Sequence, residues 1–431
     1  MAFPGHRAQG TIRAHGLHNR PGTWFTTGAW KEATMPWRET GAVDEREGFV
    51  EEVLAGVFSK AAVCRRYGVS RVTGDKWLER YRAEGRAGLG DRSRAPHHHP
   101  NAVPAATAEA VVGLRERYPH WGPKKLRAFL MRAEPRLAGV WPAASTIGDL
   151  LKGRGLAGSR RRRHHTPAYT EPFASCDGPN AVWCVDFKGW FRTGDGRRCE
   201  PLTLSDAWSR YLLRCQAMGS TRLLGAWGVL EAAFRQYGLP AAIRSDNGVP
   251  FANIGLGGLS RLSVWWIRLG IAPERIELGH PEQNGRHERL HRTLGEATAR
   301  PPRPTRRLQQ RAFDAFRREY NEERPHEALG MRTPAEVYGP SPRAYPARLP
   351  EPAYPSSWTT RSVEGRGSFR WERRRVFASK ALAGERVGLE PLSERFWTVW
   401  FGPVALGLLD VATGRIVRQD RACRYLREHL A

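Results

Sequence analysis

Hydrophobic periodicity changes character along this chain, and that change decides how many kinds of domain it must contain. Up to residue 157, apolar residues recur at helical spacing. Between 179 and 340, alternating runs are interleaved with helical stretches. From 369 to 418 only short alternating runs remain. One core cannot serve all three patterns, because a period near 3.6 lines a helix face and a period of two lines a strand face. The expected architecture is multidomain: all-α units, then a mixed α/β sheet, then a small all-β module.

The helical part reads in two units. In residues 35–95, Phe49, Val53, Leu54 and Val57 follow helical spacing. Ser59 is placed to cap a helix over Lys60–Tyr67. Gly68-Val69-Ser70 is a tight turn, with Ser70 as N-cap of a third helix. That helix carries Arg71, Thr73, Lys76 and Arg80 among Val72, Trp77, Leu78 and Tyr81. Helix, glycine turn and a helix with basic and hydroxyl residues near its start form the helix-turn-helix pattern. An ordinary helical hairpin fits the same residues. Residues 103–160 read as a second such unit, in which Trp121-Gly122-Pro123-Lys124-Lys125 opens one helix and Ser145 caps another.

Charge bears on the choice. Lys and Arg number 69 against 43 Asp and Glu, for a net charge of +26. A GC-rich genome explains the preference for Arg over Lys but not the basic excess, so a polyanionic partner, nucleic acid, is favoured. Arg160, Arg161, Arg162 and Arg163 form a basic run inside an expected linker, 161–178 with its preceding turn. Such a run is a solvated tether or lies on phosphates. His97–His99 read as part of a solvated linker. Six cysteines without C-x-x-C spacing argue against a disulfide scaffold or a cysteine zinc site and fit a reducing cytoplasm. No apolar run is long enough for a membrane span, and residues 1–34 hold no apolar signal core. Those residues read as disordered, with Met35 as an alternative translation start.

Three carboxylates stand out in residues 179–340. Asp186 sits mid-strand in Trp183-Cys184-Val185-Asp186-Phe187, Asp246 follows a short strand in Ser245-Asp246-Asn247-Gly248, and Glu288 lies in the first turn of a helix. An acid in an apolar strand is costly without compensation, and a helix start keeps a glutamate ionised. Converging carboxylates suit Mg²⁺, which takes carboxylate oxygen, water and substrate phosphate. Asp206 reads as a strand-end turn residue. His280, His287 and His291 read as helix-surface contacts to a DNA backbone, because carboxylate–magnesium chemistry needs no imidazole. Trp183 and Phe187 are expected in the core opposite Asp186, with Trp265 and Trp266 packed there. Residues 341–368 read as a proline-rich linker and 369–431 as the β module, where Arg370, Arg373, Arg374 and Arg375 cluster.

The series Val185-Asp186-Phe187, Ser245-Asp246-Asn247-Gly248 and His280-Pro281-Glu282-Gln283-Asn284-Gly285-Arg286-His287-Glu288-Arg289-Leu290-His291-Arg292 is similar to the DDE catalytic core of insertion-sequence transposases. So is the later Tyr320-Asn321-Glu322-Glu323-Arg324-Pro325-His326, followed by Thr333-Pro334-Ala335. The resemblance spans most of 35–340 and implies a retroviral-integrase-like core with an RNase H-like fold at 179–340. It implies catalytic, metal-binding Asp186, Asp246 and Glu288, holding Mg²⁺ with Mn²⁺ able to substitute. The implied activity is cleavage at insertion-sequence ends and strand transfer into target DNA, that is, DNA integration and recombination. Double-stranded DNA at element ends and targets is the implied partner. The protein is expected to be a homo-oligomer on that DNA in the bacterial nucleoid. Arg71, Thr73, Lys76, Arg80, Lys124, Lys125, Arg160–Arg163, Arg289 and Arg292 are the expected DNA contacts.

Two features depart from the family pattern. Asp246 and Glu288 have 41 residues between them, more than the family's usual spacing, and the surplus is assigned to a loop at Ile254–Gly258. Gly295 stands where the family commonly has Lys or Arg, two turns after Glu288, and Arg292 on the same face is the expected substitute. Gly295 favours a rival reading, a catalytically impaired remnant acting as a DNA-binding repressor. A hydrolytic RNase H-like nuclease is a third, disfavoured by the two helix-turn-helix units.

Overall fold

The structure, a computed structural model, describes residues 41–94, 102–157, 176–253, 255–276 and 285–430. The chain divides after Asn101 into two compact units.

The first unit holds helices α1 (Ala42–Leu54), α2 (Lys60–Arg66) and α3 (Arg71–Glu84). Ser59 and Ser70 cap as expected: their hydroxyls accept from the N–H groups of Ala62 (3.4 Å) and Thr73 (3.1 Å). Gly68 takes the turn between α2 and α3 with φ +65°, a conformation that costs other residues more. Phe49, Val50, Val63, Cys64, Trp77, Leu78 and Leu89 form the core. Leu54 and Val57 do not join it, being 53% and 75% exposed. Helix α1 ends at Leu54, so the apparent stripe runs past the helix.

The second unit opens with α4 (Ala105–Arg117), α5 (Pro123–Ala133) and α6 (Ala144–Gly153) around Val111, Trp121, Leu126, Leu130 and Ile147. Ser145 is not the cap of α6. Ala143 holds that position, without a side-chain bond, and Ser145 lies inside the helix.

The sheet that follows comprises β1 (Val182–Phe187), β2 (Phe191–Arg192), β3 (Arg198–Asp206) and β4 (Leu212–Met218), then β5 (Ala242–Ser245) and β6 (Ala272–Arg275). β3 pairs antiparallel with β1, β2 and β4, while β1, β5 and β6 run parallel in that order. This mixed sheet is the expected RNase H-like core. Helices α7 (Leu223–Tyr237) and α8 (Arg261–Arg268) pack on one face, against Trp183, Val185, Leu202, Leu204 and Leu213. Helices α9 (Gly285–Thr298) and α10 (Arg306–Arg318) pack on the other, where Leu290, Leu294, Phe313 and Phe316 meet Cys199, Leu212 and Cys215. Asp206 closes β3 as a turn residue, accepting from the N–H groups of Asn180 and Ser209, both at 2.7 Å.

The proline-rich stretch behaves as a strap along the core. Ser341 N–H donates to Tyr237 O, and Leu239 N–H to Arg343 O, at 2.8 and 2.7 Å. The Arg343 guanidinium donates to the carbonyls of Pro240, Leu269 and Gly270. Beyond it lie β7 (Thr359–Ser362), β8 (Ser368–Trp371), β9 (Arg374–Phe377), β10 (Arg386–Pro391), β11 (Phe396–Phe401), β12 (Val404–Asp410) and β13 (Arg415–Arg418). They form an antiparallel sheet, β13-β12-β11-β10-β7, and a β8–β9 hairpin. The expected all-β module is thus present. It also carries a terminal helix, α11 (Gln419–Leu430), whose Ala422 packs on Phe396 and Leu408.

Candidate active site

Strand order puts two of the three carboxylates on neighbouring strands, while the ligand cluster found among the described residues joins Asp186 to His287 and His291 and includes neither Asp246 nor Glu288. β1 and β5 are parallel neighbours with Cys184 opposite Arg244. Carrying that register forward brings Asp246, the residue after β5, level with Asp186. Both then lie at the carboxyl ends of adjacent parallel strands, where open α/β sheets place their ligands. Alternation along β1 turns Trp183, Val185 and Phe187 toward the α7/α8 core and Asp186 toward α9.

Helix α9 is anchored beside Asp186 by two histidines. His287 and His291 are one turn apart, and their Nε2 atoms both lie 2.7 Å from the Thr203 hydroxyl. Thr203 is the cross-strand partner of Asp186, and its hydroxyl donates to the Asp186 carbonyl at 3.2 Å. Both imidazoles thus engage the same hydroxyl through Nε2 and leave Nδ1 on the far side of each ring. His291 Nδ1 lies 3.9 Å from Asp186 Oδ2. Burial pushes His287 down to about 4; burial, then His287 and Lys188, push His291 to about 2. Both rings are neutral near pH 7. The expectation that they are helix-surface residues is therefore wrong: they are buried. Residues 287, 290, 291 and 294 form one stripe at helical spacing with Leu290 and Leu294, and that stripe was the overlooked signal. His280 lies outside the described residues.

One ligand atom each from Asp186, His287 and His291 lies within 4.8 Å of the others. His291 Nδ1 and the Asp186 carboxylate face each other, and both are atoms of the kind that ligate a metal ion. Glu288 is exposed in the first turn of α9, next to buried His287, and Arg289 and Arg292 are exposed on the same helix. Asp246 accepts from Gly248 N–H at 3.2 Å.

Lys188, which the sequence did not single out, lies two residues beyond Asp186. Burial, then Arg300, lowers its pKa. A Cβ built at Gly295 would lie 3.0 Å from both Cε and Nζ of Lys188.

The helical units differ in where their basic residues lie. On α3, Arg71 and Lys76 are exposed, and Val72 between them is 79% exposed. Thr73 shares a 2.9 Å hydrogen bond with Ser70, and Arg80 lies over the Trp77 ring. On α5, Lys124 pairs with Glu327 at 3.4 Å, and burial lowers Lys125 to about 8. The same helical unit meets the segment after α10 through Tyr118 to Glu323, Trp121 Nε1 to Glu319 (2.9 Å) and Arg132 to the Glu323 carbonyl (2.9 Å). Arg160–Arg163 lie outside the described residues. In the β module, Arg375 pairs with Glu364 at 2.9 Å. Among the described residues, no helix is long and apolar enough to cross a membrane.

Residues 269–334 match an integrase core domain, 45–97 a helix-turn-helix domain, and 73–151 a homeodomain-like domain. The uncharacterized 31.7 kDa protein of insertion element IS407 from Burkholderia multivorans is 29% identical over 240 residues, 55% of this chain and 81% of that one. The uncharacterized 39.2 kDa protein of insertion element IS476 from Xanthomonas euvesicatoria is 27% identical over 329 residues, 70% of this chain and 90% of that one. The chain is thus similar to integrase-core and helix-turn-helix proteins and to proteins of insertion elements. Among solved structures, it is similar to the HTLV-2 integrase catalytic core in complex with magnesium: 14% identity, 38% of this chain, 98% of that one, TM-score 0.31. It is also similar to a chain of the simian T-cell lymphotropic virus intasome in complex with PP2A regulatory subunit B56 gamma: 16% identity, 65% and 97%, TM-score 0.34. Likenesses this loose carry no further conclusion.

Proposed function

We propose that this protein is a transposase that cuts DNA at the ends of its insertion element and joins them to a target, with Asp186, Asp246 and Glu288 as the catalytic carboxylates. The observation that carries the reading is the β1/β5 register, which brings Asp186 level with Asp246, together with the seating of α9 on Thr203 beside them. The donor set fits a divalent cation: the three proposed carboxylates supply oxygen donors, and the Asp186 carboxylate lies within 4.8 Å of ligand atoms of His287 and His291. Mg²⁺ at such a centre lowers the pKa of an attacking oxygen and stabilises a leaving one. The nearby imidazole nitrogen favours tolerance of Mn²⁺. Asp186, Asp246 and Glu288 hold the charge that retains the cation. The buried histidines fix the start of α9, and Arg289 and Arg292 face the DNA backbone.

Residues 41–94 are the reader of the element end, through Arg71, Thr73, Lys76 and Arg80 on α3. The unit at 102–157 stays with the core, and Lys124 and Lys125 contact DNA where it passes between them. The protein acts as a homo-oligomer on DNA in the bacterial nucleoid. Gly295, which favoured a decayed repressor, has another explanation, since Lys188 fills its space.

The test is strand cleavage and joining of a labelled duplex bearing the element's terminal repeat, with Mg²⁺, by the intact chain and by Asp186→Asn, Asp246→Asn and Glu288→Gln. Loss of both reactions in all three variants, with duplex binding retained, supports the triad. Near-normal joining by any one removes that residue from it.

A further inference from the structure

Lys188 lies beside the proposed centre, yet among the described residues no carboxylate pairs with its charge. Its N–H donates to the Pro201 carbonyl at 2.9 Å, so the pairing of β1 with β3 continues past Phe187. Alternation then puts Lys188 on the same sheet face as Asp186. From there its stem reaches across to α9 and ends on the backbone at Gly295, 3.0 Å from where a Cβ would stand. Gly295 is buried and lies two turns along α9 from Glu288. A side chain at 295 would crowd the ammonium, which would have to shift.

Among the described residues, no carboxylate comes within ion-pair distance of Lys188. The charge that bears on it most is that of another cation, Arg300, and the thiols of Cys199 and Cys215 and the neutral ring of His291 are also near it. Burial pushes the Cys199 thiol up to about 11 and the Cys215 thiol higher, so neither supplies negative charge near pH 7. A half-buried ammonium facing a cation and neutral thiols is unfavourable unless an anion from outside completes it. The side chain is not sealed off, and it lies between Asp186 and the helix that carries Glu288.

We propose that Lys188 binds a phosphate of the DNA strand that is cut at Asp186, and that Gly295 is the residue that makes room for it. The pair works as one device: glycine leaves the groove along α9, and the lysine lies in it with its charge toward the strand. Lys188 thereby fixes where the scissile linkage sits relative to the carboxylates. This rests on the reading of Asp186, Asp246 and Glu288 as the cleavage centre.

The test uses the full chain and duplexes bearing the element's terminal repeat, each with one uncharged methylphosphonate at a successive linkage around the cut. Lys188→Met is expected to slow cleavage ~10- to 100-fold, the scale of a misplaced reacting group. The salt dependence of duplex binding should flatten by about 0.9, as for one lost phosphate contact. One methylphosphonate should slow the parent chain but leave Lys188→Met no slower than before. Gly295→Ala, whose methyl displaces the ammonium, should reproduce part of the loss, and Lys188→Met/Gly295→Ala should be no slower than Lys188→Met alone. Lys188→Gln is read beside them in case methionine disturbs folding. If the parent chain cuts nothing, the same masking is read in duplex binding. The proposal is overturned if Lys188→Met and Lys188→Gln cleave normally, if no linkage is masked, or if the two single losses add. Asp186→Asn separates the failures. A dead Asp186→Asn beside an unimpaired Lys188→Met removes only the phosphate contact, whereas an active Asp186→Asn removes the centre itself.

Discussion

The two faces of the central sheet are built to opposite rules. On the α7/α8 face, Trp183, Phe234, Trp265 and Trp266 are fully buried in an aromatic and aliphatic layer. Trp227 stacks on Trp265 at 4.0 Å between ring centroids. On the α9/α10 face, the same strands present Asp186, Lys188 and Thr203, and the covering helix brings His287 and His291. The first face stabilises by excluding water. The second also has an apolar layer, around Leu294, Phe313 and Phe316, but sets buried polar groups beside it. Buried polar side chains on this face are consistent with the cleavage centre proposed there.

The sharpest way to break this comparison is to neutralise the carboxylates. Asp186→Asn, Asp246→Asn and Glu288→Gln should each lower cleavage at least ~10³-fold, the scale for losing a charge that stabilises the transition state. Thermal stability should stay near that of the parent chain. The measurement is cleavage of end-labelled duplex beside a melting curve. A variant that loses stability and activity in parallel would show that its carboxylate belongs to the structural face after all.

The opposite result is expected from the dry face. Trp265→Ala removes a fully buried ring and should cost about 3–5 kcal/mol of stability. Cleavage per folded molecule should be unchanged at a temperature where the variant remains folded. Urea unfolding followed by tryptophan fluorescence measures the first, and active-fraction-corrected rates the second. A specific loss of rate would mean that the two faces are mechanically coupled.

The faces also differ in how far the sequence reveals them. Ser59, Ser70 and the whole of α7 are legible, because caps and a 3.6-residue period are local signals. Ser145 misleads for the same reason: a serine near a helix start is a plausible cap, but the chain turns two residues earlier, at Ala143. The alternation that separates Trp183 from Asp186 is readable along one strand. The partnership of Asp186 with Thr203, His291 and Lys188 is not, since it depends on β1–β3 register and on where α9 lands. The stripe containing His287 and His291 does carry the information that they are buried. It is outweighed when histidines are read one at a time as surface residues. The empty position at Gly295 appears in the sequence as a missing charge, and only the fold reveals the lysine lying across it.

Acid should damage the polar face selectively. His287, His291 and His326 are held near 4, 2 and 3 in the folded chain, mainly by burial. The unfolded chain takes up these protons near the ordinary value of ~6.5. Their neutral burial therefore costs nothing above that pH, and stability falls as the pH drops from ~6.5 toward 4. Each contributes a slope of up to ~1.4 kcal/mol per pH unit in that window. Urea midpoints measured at ~7.5 and ~5.5 should show the fall, and His287→Gln should make it shallower. An unchanged slope in that variant would mean that His287 titrates in the folded chain.

The smallest expected effect isolates one hydroxyl. Thr203→Val keeps the shape of the side chain but removes the oxygen on which both imidazoles rest. Two buried ring nitrogens are left without a partner, at roughly 1–3 kcal/mol for each that finds no other. The rings can turn to recover part of this, and turning changes which nitrogen His291 presents to Asp186. The variant should therefore show a modest loss of stability and a shift in the ratio of Mn²⁺- to Mg²⁺-supported cleavage, because the imidazole nitrogen near the carboxylate is the group that distinguishes the two ions. A stability loss with an unchanged metal ratio would assign Thr203, His287 and His291 to seating α9 alone. A changed ratio would make the hydroxyl part of how the centre selects its ion, and would place the boundary between the structural and chemical parts of this face at Thr203.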